Sequence, residues 1–334
     1  MRLLAIETSC DETAAAVMHG PQLLANTIAT QEIHQLYGGV VPELASRAHV
    51  QRLVPVVQHT LAQARLAPAD LDAIAVTYGP GLIGSLLVGV SFAKALALQL
   101  GVPLLGVNHM EGHLFSTNIK PAGPEPPFLS LIVSGGHTIL TYVRDWGQYE
   151  ILGQTQDDAA GEAFDKVAKI LGLGYPGGPV VEKLAASGNP AAIQFPQARL
   201  KNTGARLAFS FSGLKTAVLY YARKLPAAEL EKQKADIAAS FQLALINALV
   251  ERVALAQTQF PVRAVALAGG VACNKTLRQA FAPFCAGRDL QLHFPEPIFC
   301  TDNAAMIARA AQFHLANGKR SLLTLAPDPG LALA

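Results

Sequence analysis

Cysteine is scarce in this chain, and charge is scarcer than in an average soluble protein. Four cysteines, Cys10, Cys273, Cys285 and Cys300, are spread over 334 residues with no Cys-x-x-Cys spacing. That excludes a disulfide framework and a four-sulfur zinc site, and reduced thiols suit a cytoplasmic protein. Charged residues make up 15% of the chain against 51% hydrophobic ones, which excludes intrinsic disorder. Net charge is also lacking: 26 Lys and Arg face 24 Asp and Glu, a formal balance of +2, so no global basic field can hold a nucleic-acid backbone unaided. The opening apolar run stops at Glu7, too short for a signal-peptide core, and no stretch is expected to reach the length of a membrane span. Leu82 to Leu100 comes nearest, but Ser85, Ser91, Lys94 and Gln99 interrupt it and favour a buried helix.

What is present is enough for about two domains. Leu3 to Ile6 and Thr13 to Met18 read as strands joined by a tight polar turn, with a third strand at Leu23 to Ile28. Helical spacing follows from Pro42 to Leu66, with a kink expected at Pro55, and then strand Ala73 to Thr77, helix Ile83 to Leu100 and strand Leu104 to Val107. A Pro-rich stretch at 120 to 127 reads as a linker. Beyond it the opening layout returns: Phe128 to Val133, a turn, and Thr138 to Val143, so that a shift of 125 lays Ser9 on Ser134 and Thr13 on Thr138. Helices near 160 to 171, 212 to 223 and 227 to 256, a strand at 264 to 268, and helices from Asn274 and Asp302 complete the chain. Two similar α/β lobes facing a central cleft are the economical architecture.

His109-Met-Glu-Gly-His113 should open a helix, and an i, i+4 pair about 6 Å apart along the axis can bring two imidazoles to one metal ion. A pair of polar histidines at a helix start is an equally good reading. The HExxH peptidase pattern does not apply, because Glu111 is two residues from each histidine and points to the opposite face. Asp302, at the start of the last helix, is the most attractive third ligand, with a simple helix N-cap as its alternative. Gly79-Pro-Gly-Leu-Ile-Gly84 fits GxGxxG, but its place after three strands favours a structural turn over a dinucleotide site.

Three further glycine pairs close strands at 133 to 137, 175 to 179 and 267 to 271. With Asp165 and Asn274 nearby they suggest a nucleotide cleft, where Asp165 could accept from ribose hydroxyls or instead pair with Lys169 on a solvated face. A β-branched residue at Gly136 is expected to clash with a bound nucleotide or to strain the turn through an unfavourable φ. Arg199, Lys201, Arg206, Lys215, Arg223 and Lys224 gather around Phe209-Ser-Phe-Ser-Gly213, a pattern that can track RNA, although a solvated face is the simpler reading.

Taken together, Ile6-Glu-Thr-Ser-Cys-Asp-Glu-Thr13, Gly38 to Arg47, Gly79 to Leu82, His109 to Leu114, Val133 to Thr138, Asp157 to Lys166, Tyr175 to Pro179, Phe209 to Lys215, Ala268 to Asn274 and Cys300 to Asn303 closely resemble the tRNA N6-adenosine threonylcarbamoyltransferase family. That family was formerly described as O-sialoglycoprotein endopeptidases and shares the actin-like, Hsp70-like and sugar-kinase-like ATPase superfamily. The resemblance implies two duplicated ribonuclease-H-like (actin-like ATPase) lobes around a central cleft. It implies lobes at 1 to 118 and 128 to 300, a linker at 119 to 127, and a segment at 301 to 334 returning to the cleft. It further implies that His109, His113 and Asp302 hold one metal ion per subunit, Fe(II) or alternatively Zn(II), with no catalytic residue assigned beyond them. Ile132, Val133, Ser134, Gly135, Gly136, Asp165, Gly178 and Asn274 would contact threonylcarbamoyl-AMP, and Arg199, Lys201 and Arg206 are candidate tRNA contacts. The implied reaction moves threonylcarbamoyl to the N6 amine of the adenosine beside the anticodon, position 37, of tRNAs reading codons that begin with A. Implied partners are tRNA, a fold-sharing paralogue and a small ATPase, with no membrane. A metal-dependent peptidase and an actin-like ATPase or kinase are the rival readings. Two features depart from the family: Cys273 stands where serine is frequent, and the final stretch Leu325 to Ala334 lacks the basic and aromatic run of many relatives.

Overall fold

The computed structural model describes residues 1–120, 122–196 and 207–333. The chain divides into two compact units, one built from Met1–Gly123 with Pro295–Leu333 and the other from Pro124–Phe294. In the first, β1 (Arg2–Glu7), β2 (Glu12–His19) and β3 (Gln22–Thr30) lead into α1 (Pro42–Ala64), β4 (Ala73–Gly79), α2 (Ile83–Leu100), β5 (Leu104–Asn108) and α3 (His109–Phe115). The second holds β6 (Phe128–Val133), β7 (Thr138–Asp145), β8 (Gln148–Gln154), α4 (Ala160–Ile170), α5 (Gly177–Ala185), α6 (Ser212–Lys224), α7 (Ala227–Gln259), β9 (Ala264–Ala268), α8 (Lys275–Ala286) and β10 (Gln291–His293). The chain then re-enters the first unit with the single turn α9 (Pro297–Cys300) and with α10 (Ala304–Ala316).

Each unit is organised by one five-stranded sheet, in the order β3-β2-β1-β4-β5 and, equivalently, β8-β7-β6-β9-β10. The central strand is antiparallel to its hairpin partner and parallel to the strand on its other side in both units. The hairpin register is duplicated as well: Leu3 pairs with Met18 and Ile6 with Ala15, and adding 125 to each gives Phe128 with Val143 and Leu131 with Leu140, which are also partners. A one-residue slip would exchange the faces of every side chain, so a conserved shift across both strands marks a true structural repeat.

In β1 the run Leu3 to Glu7 is buried without alternation because both sheet faces are covered. Leu4, Ile6, Val17, Ile74 and Val76 pack with Leu53, Val57 and Leu61 of α1 and Val90 and Ala93 of α2. The alanine-rich α10 packs against β1 and β2 and also meets α3, so residues from the far end of the chain are brought to the end of β5. By length and composition alone, α2 and α7 could each cross a membrane. The expectation that no stretch reaches that length therefore fails; two thirds of the relevant stretch of α7 is buried within the protein (67%), whereas α2, expected to be a buried helix, is one third buried (33%). All four cysteines are free thiols.

Candidate functional site

Asn108 ends β5 and caps α3: its Oδ1 accepts from the backbone N–H of Met110 at 2.8 Å and of Glu111 at 3.3 Å. The chain thus passes from strand to helix with no loop, and His109 is the first helical residue. One turn later His113 faces the same way, the two rings lying edge to face with centroids 4.8 Å apart. Oδ1 of Asp302 approaches Nε2 of His113 at 3.2 Å and Nε2 of His109 at 3.4 Å. The N-cap of α10 is Asn303, whose side chain accepts from Met306 at 3.0 Å, so the N-cap alternative for Asp302 does not hold. One donor atom from each of the three lies within 4.8 Å of the others.

A buried shell that the sequence reading did not assign supports this trio. Glu7, at the end of β1, is fully buried. Its carboxylate accepts from the Thr77 hydroxyl at 2.6 Å and from the Ser9 N–H at 2.5 Å, and lies 2.9 Å from Nδ1 of His109. Ser9 Oγ also reaches that nitrogen, at 3.1 Å. A carboxylate on Nδ1 fixes the ring and leaves Nε2 for a ligand. The only signal available in the sequence was an acid closing an apolar strand. His49 of α1 steadies the same loop, with Nδ1 2.8 Å from Thr13 Oγ1 and Nε2 2.9 Å from the Cys10 carbonyl.

Electrostatics sets the two imidazoles apart. Burial opposes charge on His109, but Asp302 and Glu7 outweigh it and hold this group well above the ordinary histidine range. Burial pushes His113 below that range. Burial likewise opposes ionisation of Asp302, and His109 and His113 hold it well below the usual carboxylate range. Nδ1 of His113 is buried without a hydrogen-bond partner, while Nε2 faces Asp302 Oδ1 at 3.2 Å. Such an orphan costs about 1–3 kcal/mol. A neutral imidazole with a bare nitrogen, a second imidazole held by a carboxylate and an ionised aspartate form a donor set that suits one transition-metal ion. Glu111 points away, its Oε2 2.7 Å from Nε2 of His314 in α10, so it is not available as a peptidase base.

The glycine turns of the second unit have a different character. Between β6 and β7, Ser134 donates its N–H to the His137 carbonyl at 2.8 Å, and its own carbonyl accepts from Gly161 at 3.1 Å. A Cβ added at Gly135, Gly136 or Gly178 would meet no heavy atom within 4 Å. None of the three has a left-handed φ, so the expected strain at Gly136 is absent and only a ligand could object to a side chain there. Ile132 and Val133 have fully buried side chains in β6, leaving only their backbone to face a ligand. Asp165 Oδ1 accepts from Gly177 at 2.7 Å, fixing the start of α5 against α4. Asn274 caps α8 through Leu277 at 2.9 Å and donates to Gln242 at 2.8 Å. Lys215 is tied to Asp158 at 2.8 Å, whereas Arg223 and Lys224 are exposed. Arg199, Lys201 and Arg206 lie outside the described residues. The GxGxxG run is a packing turn: a Cβ at Gly81 would sit 2.6 Å from the Ser9 carbonyl, and one at Gly84 would overlap the Ser46 hydroxyl.

Duplicated sheets of this order define a two-lobed protein of the ribonuclease-H-like, actin-like ATPase class. Solved structures share the fold: HypF from T. kodakarensis aligns at a TM-score of 0.64 and 15% identity, over 95% of this chain and 48% of that one. Component A of (R)-2-hydroxyglutaryl-CoA dehydratase from Acidaminococcus fermentans aligns at 0.53 and 14%, over 93% and 99%. Residues 22–309 match the family profile described as TsaD: tRNA N6-adenosine threonylcarbamoyltransferase. Curated proteins of that description are 51% identical in Clostridium kluyveri (100% of this chain, 98% of the relative) and 50% identical in Clostridium perfringens (99% and 98%). The chain belongs to the tRNA N6-adenosine threonylcarbamoyltransferase family and is a transferase of tRNA modification.

Proposed function

We propose that the protein transfers the threonylcarbamoyl group of threonylcarbamoyl-AMP to N6 of adenosine 37 in tRNAs reading codons that begin with A, assisted by a fold-sharing paralogue and a small ATPase. The observation that carries this reading is the trio of buried His109, buried His113 and half-buried Asp302, with the buried His113 Nδ1 that has no hydrogen-bond partner. These residues would hold one ion, Fe(II) or alternatively Zn(II), which when bound would supply a Lewis acid to orient and polarise an acyl group. Glu7 keeps the His109 ring in one orientation by holding Nδ1. In the second unit the open turn around Gly135 and Gly136, together with Gly178, receives the adenylate through backbone N–H groups, while Asp165 and Asn274 hold the surrounding loops in place. The N6 nitrogen bonds to the carbamoyl carbon as the bond from that carbon to the phosphate oxygen breaks. AMP leaves with the electron pair and the amine loses a proton, so no covalent enzyme intermediate is needed. Arg199, Lys201 and Arg206 are proposed to neutralise tRNA phosphates.

The test is mass analysis of nucleosides from tRNA incubated with the protein, the companion proteins, threonine, bicarbonate, ATP and the synthase that makes the adenylate. Threonylcarbamoyladenosine is expected with the parent chain and not without it. Replacing Arg199, Lys201 and Arg206 together by Ala should weaken tRNA binding and flatten its dependence on log salt by roughly 0.7 to 0.9 per lost contact. An unmodified tRNA pool under these conditions sinks the substrate assignment.

A further inference from the structure

We infer that residues 320–332 form a strap that fixes the start of the metal-site helix through Asn108, which makes Asn108 a positioning residue for His109 and His113. Five hydrogen bonds lay the strap along β5 and the end of β4. Ser321 donates its N–H to the Leu104 carbonyl at 2.8 Å and accepts at Oγ from the Gly106 N–H at 2.9 Å. Asp328 donates its N–H to the Tyr78 carbonyl at 2.7 Å, and Gly81 donates to the Pro329 carbonyl at 3.3 Å. Finally, Asn108 Nδ2 donates to the Ala332 carbonyl at 2.9 Å.

Glycines beneath the strap leave room for it, and the one at Gly106 also clears the Tyr78 ring, whose Cδ1 would lie 2.9 Å from an added Cβ. A Cβ at Gly106 would come within 2.9 Å of Leu325 Cδ2, and one at Gly79 would overlap the Asp328 carbonyl and approach Leu331 Cβ at 2.8 Å. Gly79 is the sheet partner of Asn108, so the first glycine of the GxGxxG run clears a path for the strap where the metal-site helix begins. Asn108 spends both ends of its amide: Oδ1 caps α3 and Nδ2 holds the strap. An asparagine with only one of these bonds can rotate about its terminal torsion. With both, the cap oxygen is held in place, and the helix that carries two ligands at its first and fifth residues is held with it.

The affinity part of this inference rests on the metal reading above, so the test has an arm independent of metal. In the full chain, Asn108→Ser keeps a capping oxygen but loses the donor to Ala332, and deletion of residues 332–334 removes the acceptor while sparing the rest of the strap. Each is compared with the parent and with the two changes combined. In metal-free protein, amide exchange across residues 110–115 should quicken by about fivefold in either variant, the size of one net hydrogen bond. Exchange in β6 should not change. Zn(II) affinity, measured by chelator competition, should fall by a similar factor. The combined variant should lose no more than the deletion alone, which removes the same bond together with the buried Leu333 side chain. Additive losses, or unchanged exchange in α3, overturn the strap. A parent chain that binds no Zn(II) while α3 exchange still responds overturns the metal reading and leaves the strap standing.

Discussion

The two sheets share strand order, strand direction and a hairpin register displaced by 125 residues, yet they present opposite materials at the end of the central strand. In the first unit Glu7 ends β1 and sits in a dense cluster of side chains with Thr77, Ser9 and His109. Its counterpart by register in the second unit is Ile132, with a turn of open glycines beyond it. One scaffold therefore ends in packed polar side chains in one copy and in accessible backbone in the other. The difference lies in a few residues at strand ends, where the pattern that specifies the fold does not constrain them.

Removing a ligand from the packed site should have the largest effect. His113→Ala leaves two donors, which rarely retain a transition metal against water, so most bound metal and nearly all modification activity should be lost. Metal analysis after desalting checks this, and full occupancy in His109→Ala, His113→Ala and Asp302→Ala alike would remove the assignment. A subtler break gives the first unit the second unit's residue. Glu7→Ile strips the support from His109 Nδ1 and should weaken metal binding by roughly 10–100-fold, the usual cost of losing a partner of a ligand. If Glu7→Ile binds metal like the parent, the contrast at this strand end has no bearing on the metal.

Much of this arrangement was legible in the sequence because the apolar runs and their polar punctuation are strong. Both hairpins and the helices after Pro42, Leu82 and Pro226 follow directly from periodicity. What periodicity missed is informative. Strand β8 lies at a sheet edge with mostly exposed residues, and β10 has only three residues, so neither shows a clear alternation. Helix α5 begins on Gly177 and Gly178, which read locally as a turn. Of the metal trio, the histidine pair is visible through local spacing. Asp302 stands 189 residues beyond His113, and only the packing of α10 on α3 brings it there. Thr77 and His314 have no local signature and Glu7 only that of an acid closing an apolar strand, since the side chains they meet at the site are distant in sequence.

Packed and open glycines extend the same contrast. Gly269 has φ +84° and its missing Cβ would overlap the Val133 carbonyl, so Gly269→Ala should cost at least about 2 kcal/mol of stability. Gly136→Ala should change stability by less than about 0.5 kcal/mol, because its Cβ meets nothing within 4 Å. Gly136→Val should nevertheless weaken adenylate binding while the protein remains folded. Urea unfolding and titration with the adenylate separate the two glycines. Equal stability losses at 269 and 136, or unaltered adenylate affinity in Gly136→Val, would erase the distinction.

The smallest effect is expected where the second unit does bury charge. Asp158 bridges Lys166 at 2.7 Å and Lys215 at 2.8 Å, with its side chain only 11% exposed. Burial works against its ionisation, but hydrogen bonds from Lys166 and Lys215 outweigh it and hold the carboxyl below the ordinary range. A carboxyl depressed on folding adds stability that is fully present above its unfolded value, about 3.9, and that fades as pH falls through the folded value. Asp158→Asn should therefore cost about 1 kcal/mol at pH 7, the partial exposure of Lys166 (38%) keeping the figure modest. As pH falls from the unfolded value through the lowered folded value, the parent carboxyl takes up its proton and the two proteins should converge. Thermal unfolding of both across pH 3 to 7 reads the difference. A gap that stays constant over that range would assign the stabilisation to packing and neutral hydrogen bonding around Asp158, and the ionic contrast between the two units would then be confined to the first.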